Sequence, residues 1–288
     1  MSVWPGGKES DLAEKVRIRA LDTHEDFEKL VHIQGVVWNH ADADVTPAHQ
    51  FCVTSRMGAI LLGAFVRGEL AGFVYSFPAV FRGRNCQHSH LLAVLPEFQG
   101  YGLGKALKWA QREEAVKRGY RLITWTFDPL QTRNANLNLQ ALGAYSRTYL
   151  SNFYGMTPSL CLGPGIPTDR LLIEWPVRGR RVGGRADGKG KKPCYDPVKL
   201  PAILARKAGQ EGTFAEPGRP RLGLDAAVVL AEVPRDIKAL AFRCDLIADW
   251  QAGLRRALAA YFARGYAADH FLFGDRCFYV LKKAKIEP

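Results

Sequence analysis

The first part of the chain alternates between apolar runs and helical patterns. Residues 16–21 alternate as a β-strand does, and apolar positions at helical spacing follow from residue 27 to 38, after a capping residue at Asp22 or Thr23. Two apolar runs at residues 59–66 and 71–81 flank a short turn that contains Gly68. Such an arrangement predicts a β-hairpin.

The next segment, residues 88–128, is the most informative part of the pattern. An apolar run at residues 91–95 meets Pro96, and the glycine-rich residues 99–104 lead directly into a helical pattern. In this helix the apolar positions form one face, and Lys108 and Gln111 belong to the polar face. A second apolar run, residues 122–127, ends at Asp128. The order strand, glycine-rich turn, helix predicts an anion site, because the first N–H groups of a helix attract phosphate.

The last third repeats part of this order. Residues 226–233 predict a strand, Pro234 is suited to the first position of a helix, and a strongly amphipathic helix follows. The helix ends in Arg264-Gly265-Tyr266 before further apolar runs, as an earlier helix ends in Arg118-Gly119-Tyr120. We therefore expect a small C-terminal α/β segment, residues 223–288, that is open to interpretation as a degenerate half-copy of the first domain. It has no comparable glycine-rich turn, so a second anion site of this kind is not expected there.

Charge adds a fourth region. Between residues 177 and 221 twelve basic residues stand against four acidic ones, which places most of the formal charge of +12 in one Gly- and Pro-containing segment. We interpret residues 177–222 as a basic, solvated linker. Binding of nucleic acid or of the phosphates of a small ligand by this segment stays open, although Tyr195 is the only aromatic residue interleaved between residues 178 and 207 and no nucleic-acid motif is present. Residues 1–15 are expected to be a mobile lead.

Cysteine and hydropathy patterns exclude several classes. The six cysteines form no CxxC pair, so neither a zinc site nor a disulfide framework is indicated, and no metal is expected. No apolar run reaches the length of a membrane span and no signal-peptide pattern opens the chain. These features predict a cytoplasmic protein without a membrane partner.

The central motif resembles that of the GNAT superfamily of N-acetyltransferases. Val94-Leu95-Pro96-Glu97-Phe98 precedes Gln99-Gly100-Tyr101-Gly102-Leu103-Gly104, which is similar to the family pattern Q/R-x-x-G-x-G/A. The resemblance covers residues 16–176 and implies an α/β (α+β) fold with a GNAT-like mixed central sheet flanked by helices. The chain is also similar to a little-characterised bacterial branch with the patterns seen at residues 123–131 and at Pro167-Thr168-Asp169-Arg170.

This resemblance implies acetyl-CoA as co-substrate. It assigns pantetheine and carbonyl contacts to the fourth strand and pyrophosphate contacts to the turn and the start of its helix, and it places an Asn at the start of the last helix. The implied cofactor-binding residues are Leu92, Ala93, Val94, Gln99, Gly100, Tyr101, Gly102, Leu103, Gly104, Lys105 and Asn134.

The acid and base are less well defined. Many relatives carry a Tyr that protonates the departing thiolate, and Leu139 occupies that position here. We expect another group to replace it: Tyr145, Tyr149, Tyr154 or water. Tyr149 is our candidate. For the base, His88 and His90 share one face of the central strand, and His90 is the candidate of this pair. Asp128 is a second candidate, because ligands bind where parallel strands end. It could instead cap the helix or orient a substrate cation.

The sequence thus predicts an acyltransferase that moves an acetyl group to an amine of a small molecule or a peptide. Nucleic acid is not an expected partner, and a homodimer is left open. The alternative is a non-catalytic acyl-CoA-binding module that acts as a sensor or partner subunit. His40, Asp42 and Asp44 are candidates for the acceptor side, or a solvated polar loop.

Overall fold

A computed structural model describes residues 16–38, 44–156, 162–163, 165–188 and 193–283. The proposed lead at residues 1–15, and His40 and Asp42, lie outside these ranges. The chain divides into two compact units that meet at Ile123 and Thr124. This division differs from the predicted one, whose first domain extends to residue 176.

The first unit contains four antiparallel strands in the order β1-β2-β3-β4. Its elements are β1 (Val16–Ala20), α1 (His24–Trp38), α2 (Ala48–Arg56), β2 (Ile60–Val66), β3 (Glu69–Phe81), β4 (Arg84–Val94) and α3 (Leu103–Lys117). A 3₁₀ turn, Pro96–Phe98, follows β4. The predicted hairpin is β2 and β3, whose two-residue turn has φ 53° at Arg67 and φ 88° at Gly68.

Both faces of this sheet are covered. Helices α1 and α2 pack on one face, where Phe51 is fully buried and contacts the rings of Phe27, Phe73 and Tyr75. Thr23 caps α1 by accepting the Asp26 N–H at 3.1 Å, as one of the two predicted caps. Helix α3 packs against β4 on the opposite face of the sheet.

The second unit contains the strands in the order β5-β7-β6-β10-β11-β9-β8. Its elements are β5 (Leu122–Phe127, which begins in the first unit), α4 (Thr132–Ala135), a π-helical segment (Asn136–Ala141), β6 (Tyr145–Leu150), β7 (Arg170–Pro176), α5 (Arg180–Ala186), β8 (Ala202–Leu204), β9 (Val228–Val233), α6 (Cys244–Ala263), β10 (Tyr266–Leu272) and β11 (Cys277–Lys283). Strands β8 and β9 are parallel, which makes this sheet mixed.

The strand order of the second unit repeats itself. Strand β7 lies between β5 and β6, and β11 lies in the same way between β9 and β10. In each set the inserted strand comes last in sequence and pairs antiparallel with the strand before it. The sets meet where β6 pairs with β10 at Ser146 and Ala268. In this topology α6 and β10 correspond to α4 and β6. The two Arg-Gly-Tyr stretches would instead match α6 and β10 with α3 and β5, so the correspondence that they suggested is wrong.

The predicted linker contains regular structure. Helix α5 buries Val182, and β8 buries Ile203 and Leu204. The mixed α/β fold class predicted from the sequence is confirmed. Pro234 does not begin a helix: the next helical turn is a 3₁₀ turn at Ile237–Leu240. Among the described helices, none combines the length and apolar character needed to cross a bilayer.

Candidate functional site

The glycine-rich turn joins β4 to α3 in the first unit. Gly100 and Gly102 have φ of 88° and 79°, a left-handed conformation that side-chain-bearing residues rarely adopt. Gly102 stands at the N-cap of α3 and supplies no side-chain hydrogen bond to the helix. No atom lies within 4 Å of a Cβ built at either glycine. The first N–H groups of α3 therefore begin a helix without a side-chain cap, beside open space, as an anion site requires.

Several contacts fix the end of β4 next to this turn. The Gln99 side chain donates from Nε2 to the Val94 carbonyl at 2.9 Å. Gly104 lies close to Leu92 and Val94, since a Cβ built there would be 3.9 Å from both side chains. Gly72 of β3 approaches even more closely, because its Cβ would lie 2.5 Å from the Ala93 carbonyl oxygen. The predicted cofactor-binding residues of β4, Leu92, Ala93 and Val94, thus adjoin the turn.

A buried polar network holds α3 against β4. Lys108 donates from Nζ to Ser89 Oγ at 3.0 Å and to Gln111 Oε1 at 2.7 Å, and Gln111 Nε2 donates to Ser89 Oγ at 3.1 Å. Burial lowers the pKa of Lys108 well below its usual value. Lys108 and Gln111, which the sequence places on the polar face of the helix, are buried, because the hydroxyl of Ser89 offers them a partner inside the unit.

His88 and His90 lie at an irregularity of β4. Tyr75 pairs with Leu91 and Ser76 pairs with Ser89, so His90 is an unpaired bulge residue. Both imidazole rings contact Phe77, with ring centroids 5.6 Å and 5.9 Å from its centroid, which agrees with the predicted common face. Burial, with the neighbouring His90 and Lys108, lowers the pKa of His88 to about 4, so His88 is a weak base. Desolvation by the aromatic rings that His90 contacts lowers its pKa in the same direction, but His90 is exposed to solvent, which limits this effect.

In the second unit Asp128 ends β5 and is almost fully buried. Its Oδ1 accepts the Leu130 N–H at 2.8 Å, as a helix-capping or turn residue would. Burial raises the pKa of Asp128 to about 6, although the Leu130 N–H and the nearby Arg170 act in the opposite direction. A carboxyl group with this pKa is ionised at neutral pH, and its pKa is close enough to neutral for it to accept a proton as a general base.

Tyr149 of β6 belongs to a hydrogen-bonded cluster around Asp169. Its hydroxyl donates to Asp169 Oδ2 at 2.7 Å, and Arg255 of α6 donates to both carboxylate oxygens at 2.7 Å and 3.0 Å. The Asn152 N–H donates to Oδ1 at 2.9 Å. Burial, with the charge and hydrogen bond of Asp169, raises the pKa of Tyr149 well above its usual value, and Asp128 adds to this shift. Two of the predicted catalytic residues, Asp128 and Tyr149, therefore influence each other electrostatically.

The other tyrosine candidates have structural partners. The Tyr145 hydroxyl donates to Glu174 in the core, and the Tyr154 hydroxyl shares a hydrogen bond with Thr126. Leu139, at the position of the usual Tyr, is fully buried in the π-helical segment. Asn134 is exposed on α4.

Sequence reasoning assigned no role to Asp169 or Arg255. The only signal for Asp169 was the pattern at residues 167–170, which had no function attached. Arg255 gave no signal beyond its place on an amphipathic helix. In the described ranges, His, Cys, Asp and Glu side chains form no group of three or more suited to a metal ion.

Comparisons with known proteins point to one family of acetyltransferases. Residues 21–145 match the model of the Acetyltransferase (GNAT) family. Among curated proteins, no sequence matches the chain. Solved structures that are similar include a ribosomal-protein alanine N-acetyltransferase from Escherichia coli, at 20% identity and a TM-score of 0.45 over 57% of this chain and 97% of that one. The enzyme of the same type from Brucella melitensis has 20% identity and a TM-score of 0.46 over 55% and 98%. A GNAT family acetyltransferase from Elizabethkingia anophelis with acetyl-CoA bound has 18% identity and a TM-score of 0.43 over 57% and 99%.

The pKa of His88 predicts how stability depends on pH. An unfolded chain protonates His88 near pH 6.5, whereas the folded chain does so only near pH 4. Between these values the unfolded state binds more protons, so stability falls as the pH is lowered from 6.5 to 4. We expect His88→Gln to lose less thermal stability than the native chain over this range. At pH 8 both chains hold a neutral side chain here, so that measurement is the reference. An equal dependence on pH in the two chains would contradict the assignment.

Proposed function

We propose that this chain, in which residues 21–145 match the model of the Acetyltransferase (GNAT) family, transfers an acetyl group from acetyl-CoA to an amine. The observation that carries the proposal is the turn before α3, in which left-handed Gly100 and Gly102 leave the helix N-terminus uncapped and unobstructed. An acyl donor with a pyrophosphate is the ligand that such a turn suits in this family. The acceptor is proposed to be a small-molecule or peptide amine.

We further propose how each part of the donor is held. The N–H groups of Leu103, Gly104 and Lys105 start α3 and would bind the pyrophosphate, with Gln99 and Tyr101 beside them. The backbone of Leu92, Ala93 and Val94 would bind pantetheine and polarise the thioester carbonyl. The close approach of Gly72 and the Gln99 hydrogen bond to Val94 support this assignment, because they hold that backbone in one position.

Three side chains are candidates for the proton transfers. The amine nitrogen attacks the thioester carbon, the carbon–sulfur bond breaks, and coenzyme A leaves as a thiolate. Asp128 is proposed to take the proton that the amine loses, because its pKa of about 6 leaves it ionised at neutral pH. Tyr149 is proposed to give a proton to the thiolate and to regain one from solvent, and its raised pKa keeps this contribution small. His90 is the alternative base, although its lowered pKa makes it weaker.

A non-catalytic acyl-CoA-binding role is the second candidate. The observation in its favour is Leu139, which is an apolar core residue where many relatives carry the proton-donating Tyr. This role predicts binding of acetyl-CoA without turnover in a panel of amines. Turnover of any amine at the expense of acetyl-CoA would exclude it.

Gly102→Glu tests the donor site. The new carboxylate would stand among the phosphates, so we expect acetyl-CoA binding to weaken about a hundredfold or more in calorimetric titrations, since charge repulsion adds to lost N–H contacts. Gly68→Glu is the matched control, because Gly68 also has a left-handed φ of 88° and open space around its Cβ, but lies in the β2–β3 turn. Equal affinities in the two variants would refute the assignment of the site.

Asp128→Asn tests the base. Asparagine can still accept the Leu130 N–H through its Oδ1, but it cannot take up a proton. We expect kcat to fall about 10²- to 10⁴-fold. In the native chain kcat should rise through about pH 6 and level off above it, since the base works when deprotonated, and this limb should vanish in the variant. Asp196→Asn, at an exposed carboxylate, is the control. A rise near pH 6 that persists in Asp128→Asn would rule out this base.

Tyr149→Phe tests the proton donor. We expect kcat to fall about tenfold, a modest effect for general-acid catalysis because a thiol with a pKa near 8.5 leaves without much help. Tyr154→Phe removes a comparable hydroxyl that bonds to Thr126 and should leave kcat unchanged. If Tyr149→Phe is also fully active, water protonates the thiolate and Tyr149 has no catalytic role.

A further inference from the structure

The second unit contains a cavity of about 640 Å³ that the proposed reaction does not use. It lies where the parallel strands β8 and β9 end: its walls come from residues 206–213, which follow β8, and residues 233–236, which follow β9. Trp250 of α6 and Arg276, just before β11, complete the lining. The carboxyl ends of parallel strands are where open α/β sheets place ligands, and the volume is typical of small-molecule sites.

The loop after β8 offers backbone donors to this cavity. Gly209 and Gly212 have left-handed φ of 77° and 81°. Within the part of the chain that the structure describes, no backbone carbonyl accepts from their N–H groups or from that of Ala208. All three residues line the cavity. The N–H groups of Ala208 and Gly209 are consecutive, and consecutive N–H groups in such turns form concave binding sites for anions.

A buried charge cluster forms the inner wall. Glu232 is almost fully buried, and its carboxylate accepts from Arg206 Nε at 2.7 Å and from Arg276 Nη2 at 2.6 Å. One carboxylate thus faces two guanidinium groups, which leaves a net positive charge. Because both arginines are already fixed by Glu232, their remaining N–H groups are held in place for a ligand.

The rim carries two further cations in exposed ion pairs. Lys207 pairs with Glu216, and Arg235 pairs with Asp275. Exposed pairs of this kind contribute little to stability, so both cations can turn towards an anion at small cost. The lining also holds Asp236, Asp275 and Glu211, so its four cations stand beside four carboxylates in all. Asp236 accepts the Lys238 N–H and Asp275 pairs with Arg235, while Glu211 is exposed, so a phosphate would draw on the arginines of the inner wall and on cations that leave their exposed pairs.

We propose that this cavity binds a small molecule that carries a phosphate group. The several acceptor oxygens of a phosphate match the backbone donors of the loop and the guanidinium groups of Arg206 and Arg276 at the same time. The ligand is either a nucleotide or a sugar phosphate, which share this chemistry. The site is separate in sequence from the turn at residues 99–104 and does not depend on the acyltransferase activity.

Calorimetric titration with inorganic pyrophosphate tests the proposal. The titrations use Gly102→Glu as the background, so that the turn before α3 does not contribute. We expect saturable binding that Lys207→Gln/Arg235→Gln weakens about tenfold or more, as the loss of charge-assisted hydrogen bonds implies. Both replaced residues are exposed, so the variant should fold. Titration with 3′,5′-ADP and with ribose 5-phosphate then distinguishes a nucleotide from a sugar phosphate.

Lys199→Gln/Lys283→Gln is the matched control in the same background. It removes the same charge and also breaks two exposed ion pairs, with Asp196 and Asp225, but neither lysine lines the cavity. This control should bind pyrophosphate as the background chain does. Equal weakening in both double variants, or no saturable binding to the background chain, would overturn the proposal.

Discussion

The proposed activity depends on a helix that begins without a side-chain cap. A helix N-terminus with unpaired N–H groups is costly unless a cap, water or a ligand satisfies it. Gly102 adopts a left-handed conformation at this point and offers no side chain, and Gly100 before it is left-handed as well. Two sets of contacts hold β4 and α3 in place around this turn. The Gln99 side chain bonds to the end of β4, and Lys108 and Gln111 of α3 bond to Ser89 of β4.

In the second unit a single buried carboxylate organises the candidate catalytic groups. Asp169 accepts hydrogen bonds from Tyr149, Arg255 and the Asn152 N–H. The carboxylate fixes the Tyr149 hydroxyl, and the guanidinium group of Arg255 balances the carboxylate's charge. Arg255 comes from α6, in the segment that the sequence suggested as a degenerate half-copy. The repeated strand order explains how this segment extends the sheet of the second unit, because β10 pairs with β6. The C-terminal segment thus contributes directly to the environment of Tyr149.

Sequence patterns predicted the elements whose periodicity is undisturbed. Strands β1 to β4, the hairpin turn and the amphipathic helices α3 and α6 follow from apolar spacing, glycine and capping residues. Helix α5 was not predicted because basic and glycine residues dominate it, and β8 was not predicted because its apolar run is only three residues long. The π-helical segment was not predicted either, since its extra residue per turn leaves no compositional signature.

The site was predictable only where it is local in sequence. The turn at residues 99–104 is contiguous, so one pattern contains its glycines and its helix start. The Asp169 cluster joins residues from β6, β7 and α6, and such a contact between distant segments has no trace in a single sequence. Lys108 shows a related limit: its spacing places it on a polar face, and only the opposing Ser89 explains why that face is buried.

Hydrogen–deuterium exchange of the native chain, with and without acetyl-CoA, tests the central claim most directly. If the turn before α3 holds the pyrophosphate, acetyl-CoA should slow exchange at the amides of residues 99–105. The amides of Leu92, Ala93 and Val94 should show smaller effects, because strand pairing already protects some of them. Saturation with acetyl-CoA that leaves the amides of residues 99–105 unprotected would contradict the account.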